Sequence, residues 1–384
     1  MGGVGQLRRA AVAGVAVAVA SALVSGCGSS EAAGTAPTAS ADLAGVTLRV
    51  GQTGYGNVAA LLKAAGIDST PYKVEFSVFQ GGNLQLEAMA AGALDVATTS
   101  EIPPIFASLA AGGGNFKIVA VQRGSTLQQE VLVPAGSTIT DIAGLKGKRV
   151  AYVKSTTAQY FLDKLLRQAG LSWTDVTAVD LTVPDGLAAL LSGQVDALAT
   201  YGNAVVGAHA KGAVTIGTGK DVLSGNFPWE TTPAVISDAA KSAALADLFG
   251  RVQRGYEWAR AHADEWAAIV AGLTKQPVDQ ALNTFLLQET QTPTQLVAVS
   301  DKAIASQQDV ADVLRAGGTL PKQVDVAGLW SDAFTAALTA LPSPSARAVS
   351  TASPASGSPA GGSPAAVSSS PATATATASS AARN

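Results

Sequence analysis

Ala91-Gly92-Ala93-Leu94-Asp95-Val96 comes back later in the chain as Ser192-Gly193-Gln194-Val195-Asp196-Ala197. In each copy a Gly-x-[Leu/Val]-Asp run closes a helical pattern and opens a short apolar strand. Working outward, one rhythm precedes both copies: an apolar strand, a turn of Ser, Thr or Gly, then an amphipathic helix. Strands that alternate with helices imply sheets with parallel neighbours, covered by helices. Two such units in succession predict an α/β chain folded as a two-lobed clamshell, with mostly parallel sheets flanked by helices.

In the first unit Val46 to Val50 reads as a strand, and Gly51-Gln52-Thr53-Gly54 leads to a helix through Leu61 and Leu62. Tyr72 to Phe79 alternates as a half-buried strand does. Gly81-Gly82-Asn83 opens the helix of Leu84, Leu86 and Met89, Asp95 to Thr99 is a short strand, and Ser100-Glu101-Ile102-Pro103-Pro104 turns into another helix. Phe116 to Val121 and Glu130 to Val133 are further strands. The second unit starts near Pro134: Asp141 to Lys146 is a short helix, and the strand Lys148 to Val153 enters Lys154-Ser155-Thr156-Thr157. A helix with Phe161, Leu162, Leu165 and Leu166 on one face follows. Val176 to Leu181 is a strand, Asp185 caps a helix to Leu191, and Gln194 to Thr200 is a strand again. From about Trp229 the pattern turns mostly helical. The expected lobes are 46–133 with 229–341, and 134–228.

The two ends read differently from this body. Residues 1–26 have the form of an export signal: Arg8 and Arg9 give a positive segment, and Ala10 to Leu23 is an apolar run of about 14 residues, short of a bilayer span. Leu23-Val24-Ser25-Gly26-Cys27 is similar to the lipobox of bacterial lipoproteins, and Cys27 is the only cysteine of the chain. A thiol there would take the lipid, so a membrane anchor is expected at Cys27. Residues 27–45 read as a flexible tether. The Ser/Pro/Ala/Thr-rich tail 342–384 has no apolar period to bury and is expected to stay disordered.

Composition excludes several classes of function. Of the 384 residues 47% are hydrophobic but only 5% aromatic, so small Ala carries much of that fraction and it is no sign of a membrane body. A net charge of −3 with no basic cluster argues against nucleic acid as a partner. One Cys and two His residues leave too little soft ligand for zinc or an iron–sulfur cluster, and no other cofactor is called for. No phosphate loop of the Gly-x-x-x-x-Gly-Lys-[Ser/Thr] type, no Gly-x-Ser-x-Gly elbow and no Ser/His/Asp set points to an enzyme.

The segments Leu86 to Asp95 and Thr99 to Pro104 look like the first-lobe signature of periplasmic aliphatic sulfonate-binding proteins. Asp141-Ile142-Ala143-Gly144-Leu145-Lys146-Gly147-Lys148-Arg149-Val150-Ala151 is similar to the opening of their second lobe. With the Pro-Pro turn, the resemblance covers about residues 46–335 and spans the sulfonate, taurine, nitrate and thiamine-precursor binders. It implies a monomeric clamshell of the type II periplasmic-binding-protein kind, which hands a small organic anion to ABC permease subunits or, as a lipid-anchored sensor, presents the same clamshell to a membrane receptor. Thiamine-pyrimidine synthases share the fold but carry clustered Cys and His, which this chain lacks. One departure concerns ligand identity: Thr200-Tyr201-Gly202-Asn203 stands where the family commonly has Trp-Asp-Pro-Tyr.

A sulfonate is a permanent anion with three acceptor oxygens, and a helix N-terminus can hold it with unpaired N–H groups and a partial positive charge. The candidate starts are Gly82-Asn83, Ser100 and Ser155-Thr156-Thr157; each would equally serve as an ordinary N-cap. All three follow strands, where ligands of open α/β sheets bind. Gln52 and Thr53 resemble the family's first cleft loop, or form a plain turn after the first strand. Glu101 would accept from an amine, as in a taurine-like ligand, or favour a helix start. Tyr201 and Asn203 occupy the departing turn, and Trp229 would cover an alkyl chain or pack in the core. Closure is expected about crossovers near Pro134 and Pro228.

Overall fold

A computed structural model describes residues 42–54, 57–110 and 112–342. The export signal, Cys27, the tether up to residue 41 and the tail from residue 343 lie outside the described residues.

Eleven strands are described: β1 (Thr47–Thr53), β2 (Lys73–Phe79), β3 (Val96–Thr98), β4 (Lys117–Arg123), β5 (Gln129–Val133), β6 (Arg149–Tyr152), β7 (Thr177–Asp180), β8 (Ala197–Tyr201), β9 (Val214–Thr218), β10 (Asn226–Thr231) and β11 (Gln295–Val297). Between them run the helices α1 (Asn57–Ala64), α2 (Gly82–Ala90), α3 (Ile102–Ala107), α4 (Thr157–Gln168), α5 (Val183–Leu191) and α6 (Asn203–His209). The C-terminal third adds α7 (Pro233–Ser237), α8 (Ala239–Ala261), α9 (Ala263–Thr274), α10 (Val278–Gln291), α11 (Asp301–Ala316) and α12 (Thr335–Thr339).

The strands form two sheets, ordered β11-β4-β10-β3-β1-β2 and β7-β6-β8-β5-β9. The repeat seen in the sequence is a repeat of topology. β2-β1-β3 in one lobe and β7-β6-β8 in the other are all-parallel triplets with the same order of connection. The expectation of mostly parallel sheets needs correction outside these triplets. β10 runs antiparallel to β3 and β4, β11 antiparallel to β4, and β5 antiparallel to β8 and β9. β5 and β10 are the strands that arrive from the other lobe, so they enter their sheets reversed.

The expected lobe boundaries also move. β5 was placed with the first lobe but pairs in the second sheet, and β10 begins before Pro228. The crossovers therefore fall at residues 124–128 and 219–225, earlier than Pro134 and Pro228. They touch: Gly124 N–H donates to Gly225 O at 3.0 Å. Gly225 has φ +74°, and a Cβ there would stand 2.6 Å from Gly124 O, so only glycine allows the approach.

The Gly-x-[Leu/Val]-Asp run turns out to be a structural joint. Gly92 and Gly193 take φ near +75° and +72° and end α2 and α5. Asp95 and Asp196 then reach back to the arginine on the central strand of their own parallel triplet. Arg49 N–H donates to Asp95 Oδ2 at 3.0 Å and Arg149 N–H to Asp196 Oδ2 at 2.7 Å. Each arginine also ties its lobe's glycine, Gly92 O or Gly193 O.

Each lobe has its own core. Leu48, Val50, Leu61, Trp229, Leu248 and Phe249 anchor the first, where the 23-residue α8 covers the sheet. Val131, Leu145, Phe161, Leu162 and Leu166 anchor the second. Asp185, expected to cap its helix, instead sits inside the first turn of α5. Thr182 is the cap, its hydroxyl accepting from Asp185 N–H at 3.3 Å. No described helix is long and apolar enough to cross a membrane.

Candidate functional site

A cavity of about 200 Å³ opens between the lobes where α2, α3 and α4 begin. Gly82, Ser100, Thr156, Thr157, Thr53 and Tyr201, all singled out from the sequence, line it together.

α2 begins at Gly82 after Gly81, whose extended backbone offers no side-chain cap, so the first N–H groups of this helix meet no capping oxygen of their own chain segment. Gly82 is buried against Thr99, where a Cβ would stand 2.8 Å from Thr99 Cβ. Buried Gln85 fixes the helix to β3: its Nε2 donates to Thr98 O at 2.8 Å and its Oε1 accepts from Thr98 N–H at 2.9 Å. Thr98 and Thr99 thereby join the cavity wall.

From the other lobe comes α4. Ser155 turns the chain with φ +58°, and its N–H donates to Gln159 Oε1 at 2.8 Å. Thr156 is the N-cap: its hydroxyl accepts from Ala158 N–H at 3.2 Å and donates to Val153 O at 2.7 Å. Thr157 is the first helical residue, a position whose N–H has no partner within the helix.

Tyr201 bridges the mouth. Its hydroxyl lies 3.5 Å from Gln80 O of the opposite lobe. Burial pushes its pKa up to about 12, against a hydrogen bond with Thr156 that pulls the other way, so it is a neutral donor. Apart from this phenol, the described lining residues carry no ionisable side chain.

α3 contributes less than expected. Pro103 and Pro104 stand in its first turn, and proline has no N–H. The Ser100 side of the cleft offers side chains where a full set of helix N–H donors was anticipated.

Four of the expected residues have other tasks, and two face another cavity. Gln52 is buried; its Oε1 accepts from Val58 and Ala59 N–H at 3.0 and 3.3 Å, capping α1. Glu101 accepts from Ser224 Oγ at 2.5 Å and Asn226 Nδ2 at 2.9 Å, tying α3 to the second crossover. Burial raises its pKa, while Ser224, Asn226 and Ser306 lower it. Trp229 is fully buried in the core, edge-on to Phe249 at 5.6 Å. Asn203 is the exposed first residue of α6. Asn83 and Ser155 border a separate cavity of about 260 Å³ between the lobes.

Ser125 and Gln128 of the first crossover and Phe227 at the start of β10 also line the cleft, and no local sequence pattern marks them. Glu230, also missed, lies behind the wall. Thr99 Oγ1 is 2.5 Å from Glu230 Oε1 and 2.8 Å from Ser100 O. One hydroxyl hydrogen cannot serve both acceptors. Glu230 is fully buried, which pushes its pKa well above the usual carboxylate range. A neutral Glu230 that donates to Thr99, while Thr99 donates to Ser100, resolves this conflict, and Glu230 Oε2 is left buried without a partner among the described residues.

Residues 73–266 match the NMT1/THI5-like family. A protein of Escherichia coli strain K12 named as an aliphatic sulfonates-binding protein is 30% identical over 262 residues, which is 66% of this chain and 78% of that one. The crystal structure of the periplasmic aliphatic sulphonate binding protein of Escherichia coli superposes with a TM-score of 0.63 at 26% identity, covering 74% of this chain and 92% of that one. The alkanesulfonate-binding protein of Xanthomonas axonopodis pv. citri, solved with MOPS bound, gives 0.67 at 26% identity over 74% and 98%.

Proposed function

The chain belongs to the NMT1/THI5-like family, and on that footing we propose that it captures a small organic sulfonate between its lobes outside the cytoplasm and delivers it to an ABC permease. The observation that carries this reading is the lining of the cleft: neutral donors from both lobes and no countercharge. Such a site suits a monoanion, because two helix ends supply about one positive charge between them. A dianion would need more. Gly82 and the unfilled N–H groups of α2 hold the headgroup from one side and Thr157 N–H from the other, with Tyr201 closing the mouth over it. The protein binds and releases its cargo without chemistry. Lipid attachment at Cys27 would keep it at the membrane beside its permease, and an intact mass showing an unmodified Cys27 in membrane-derived protein would rule that anchor out.

A thermal-shift screen of the purified full chain tests the ligand class, since a molecule that binds only the native state raises its apparent stability. Alkanesulfonates should raise the melting temperature, while nitrate, sulfate and aminopyrimidines leave it in place. A shift with nitrate or a pyrimidine and none with sulfonates would overturn the reading.

A further inference from the structure

Beside the headgroup cavity lies a larger one of about 290 Å³. Thr53, Ser125, Gln128, Phe227 and Gln288 line both, so the two are joined. The second runs under the C-terminal helices. Its apolar walls are Val58 and Leu61 of α1, Ala259 of α8, Trp266 of α9 and Phe285 of α10. Asn57, Gln128 and Gln288 add amides to its wall, and three other polar residues are engaged. Tyr256 Oη donates to Gln122 Oε1 at 2.6 Å. Glu289 is held by Arg260 at 3.2 Å and by the Thr294 hydroxyl at 2.6 Å. An occupant therefore meets aromatic and aliphatic side chains on one part of the wall and uncharged amides and hydroxyls on another, and its charge would find no unsatisfied counterpart in Glu289. The cleft itself offers no carboxylate to an amine, because Glu101 is turned to the second crossover.

Resting on the sulfonate reading above, we propose that this second cavity receives the organic part of the ligand. The chain would then select sulfonates with a bulky, uncharged, ring-bearing tail over taurine-sized ones. Val58, Leu61, Ala259, Trp266 and Phe285 are the specificity-determining residues. Each buried methylene is worth about fourfold in affinity, so a fused ring seated there should gain far more than a methyl group.

Titration calorimetry of the full chain with methanesulfonate, taurine and naphthalene-2-sulfonate reads this directly. Naphthalene-2-sulfonate should bind about a hundredfold more tightly than the two small ligands. Ala259→Leu, which fills the cavity from α8, should cut that ratio to below about tenfold. Phe285→Ala, at a half-buried position, should shrink the ratio by removing one wall, and keeps the test readable should Ala259→Leu fail to fold. Equal affinity for all three ligands, or a ratio that survives both substitutions, would overturn the tail site while leaving the sulfonate reading in place. Binding of none of the three would overturn that reading and the tail site together.

Discussion

Arg49 with Asp95, and Arg149 with Asp196, make the same joint in the two lobes, yet they sit in different surroundings. The Asp95 side chain is only 5% exposed, with Arg49 Nε at 2.7 Å and Lys241 Nζ of α8 at 3.0 Å. Asp196 is 35% exposed and has Arg149 Nε at 3.5 Å. What differs is the layer above. α8 crosses the first lobe, covers its sheet and lends a second cation, whereas among the described residues Asp196 has an ion pair with Arg149 alone. The motif is thus one local solution, glycine to end a helix and aspartate to receive an arginine, whose energetic weight is set by what the rest of the chain lays over it.

The largest expected effect follows from that contrast. Asp95→Ala strands Arg49 and Lys241 around an emptied site and should lower stability by about 3 kcal/mol. Asp196→Ala should cost about 1 kcal/mol or less, since water replaces the lost carboxylate. Urea unfolding of both variants measures the difference, and equal losses would break the comparison.

The acid limb sharpens it. Despite the desolvation that burial imposes, hydrogen bonds from Arg49 and Lys241 hold the Asp95 pKa at about 2, below its ordinary 3.8. An aspartate depressed in the fold contributes stability above its unfolded pKa and loses it as pH falls through the folded one. Between about pH 4 and pH 2, wild-type stability should therefore fall more steeply than that of Asp95→Asn. Coincident acid limbs would contradict the assignment.

On the alkaline side the first lobe carries the opposite case. Glu230 keeps its proton in the fold while the unfolded chain gives it up, so its burial costs stability increasingly above the ordinary carboxylate pKa. Glu230→Gln retains a donor for Thr99 and should be more stable than wild type at pH 8, the gap closing toward pH 4. A gap that does not change with pH would mean that Glu230 is charged in the fold.

The smallest effect concerns the caps, which also differ between lobes. α2 starts at glycine without a side-chain cap, whereas α4 has Thr156. Because that hydroxyl is already committed to Ala158 N–H and Val153 O, Thr156→Ala should cost about 1 kcal/mol of stability. Ligand affinity should change by less than about twofold, measured by calorimetry against the wild type.

The parts of this molecule legible in the sequence are those written in local chemistry. Gly92 and Gly193 mark helix ends, Thr156 marks a helix start, and the alternation of Lys73 to Phe79 marks a strand with one face out. What stayed illegible depends on which lobe a strand joins. β5 and β10 have no local pattern that says they cross, so the boundaries at Pro134 and Pro228 fell too late, and Ser125, Gln128 and Phe227 went unseen as cleft residues. Side chains that reach back to their own backbone were misread in the same way. Gln52 follows a strand as a ligand residue would, but it folds over to cap α1. Trp229 alternates within β10, and only the placing of α8 above it makes it core. Glu101 has the position of a cleft carboxylate and the contacts of a brace.

The central claim is that backbone N–H groups from both lobes hold the anion, and Thr157 tests it most cleanly. It is the first residue of α4, where proline is tolerated and where the lost N–H breaks no helical bond. Thr156 already lies at φ −130°, ψ 178°, the extended region that a residue before proline favours. Thr157→Pro should therefore fold with a melting temperature close to the parent's. Titration calorimetry with methanesulfonate should show micromolar binding by the full wild-type chain, about −8 kcal/mol. The variant should bind at least about tenfold more weakly, the loss of one hydrogen bond to a charged group. If Thr157→Pro folds normally and binds methanesulfonate as the parent does, the headgroup is not held at the start of α4.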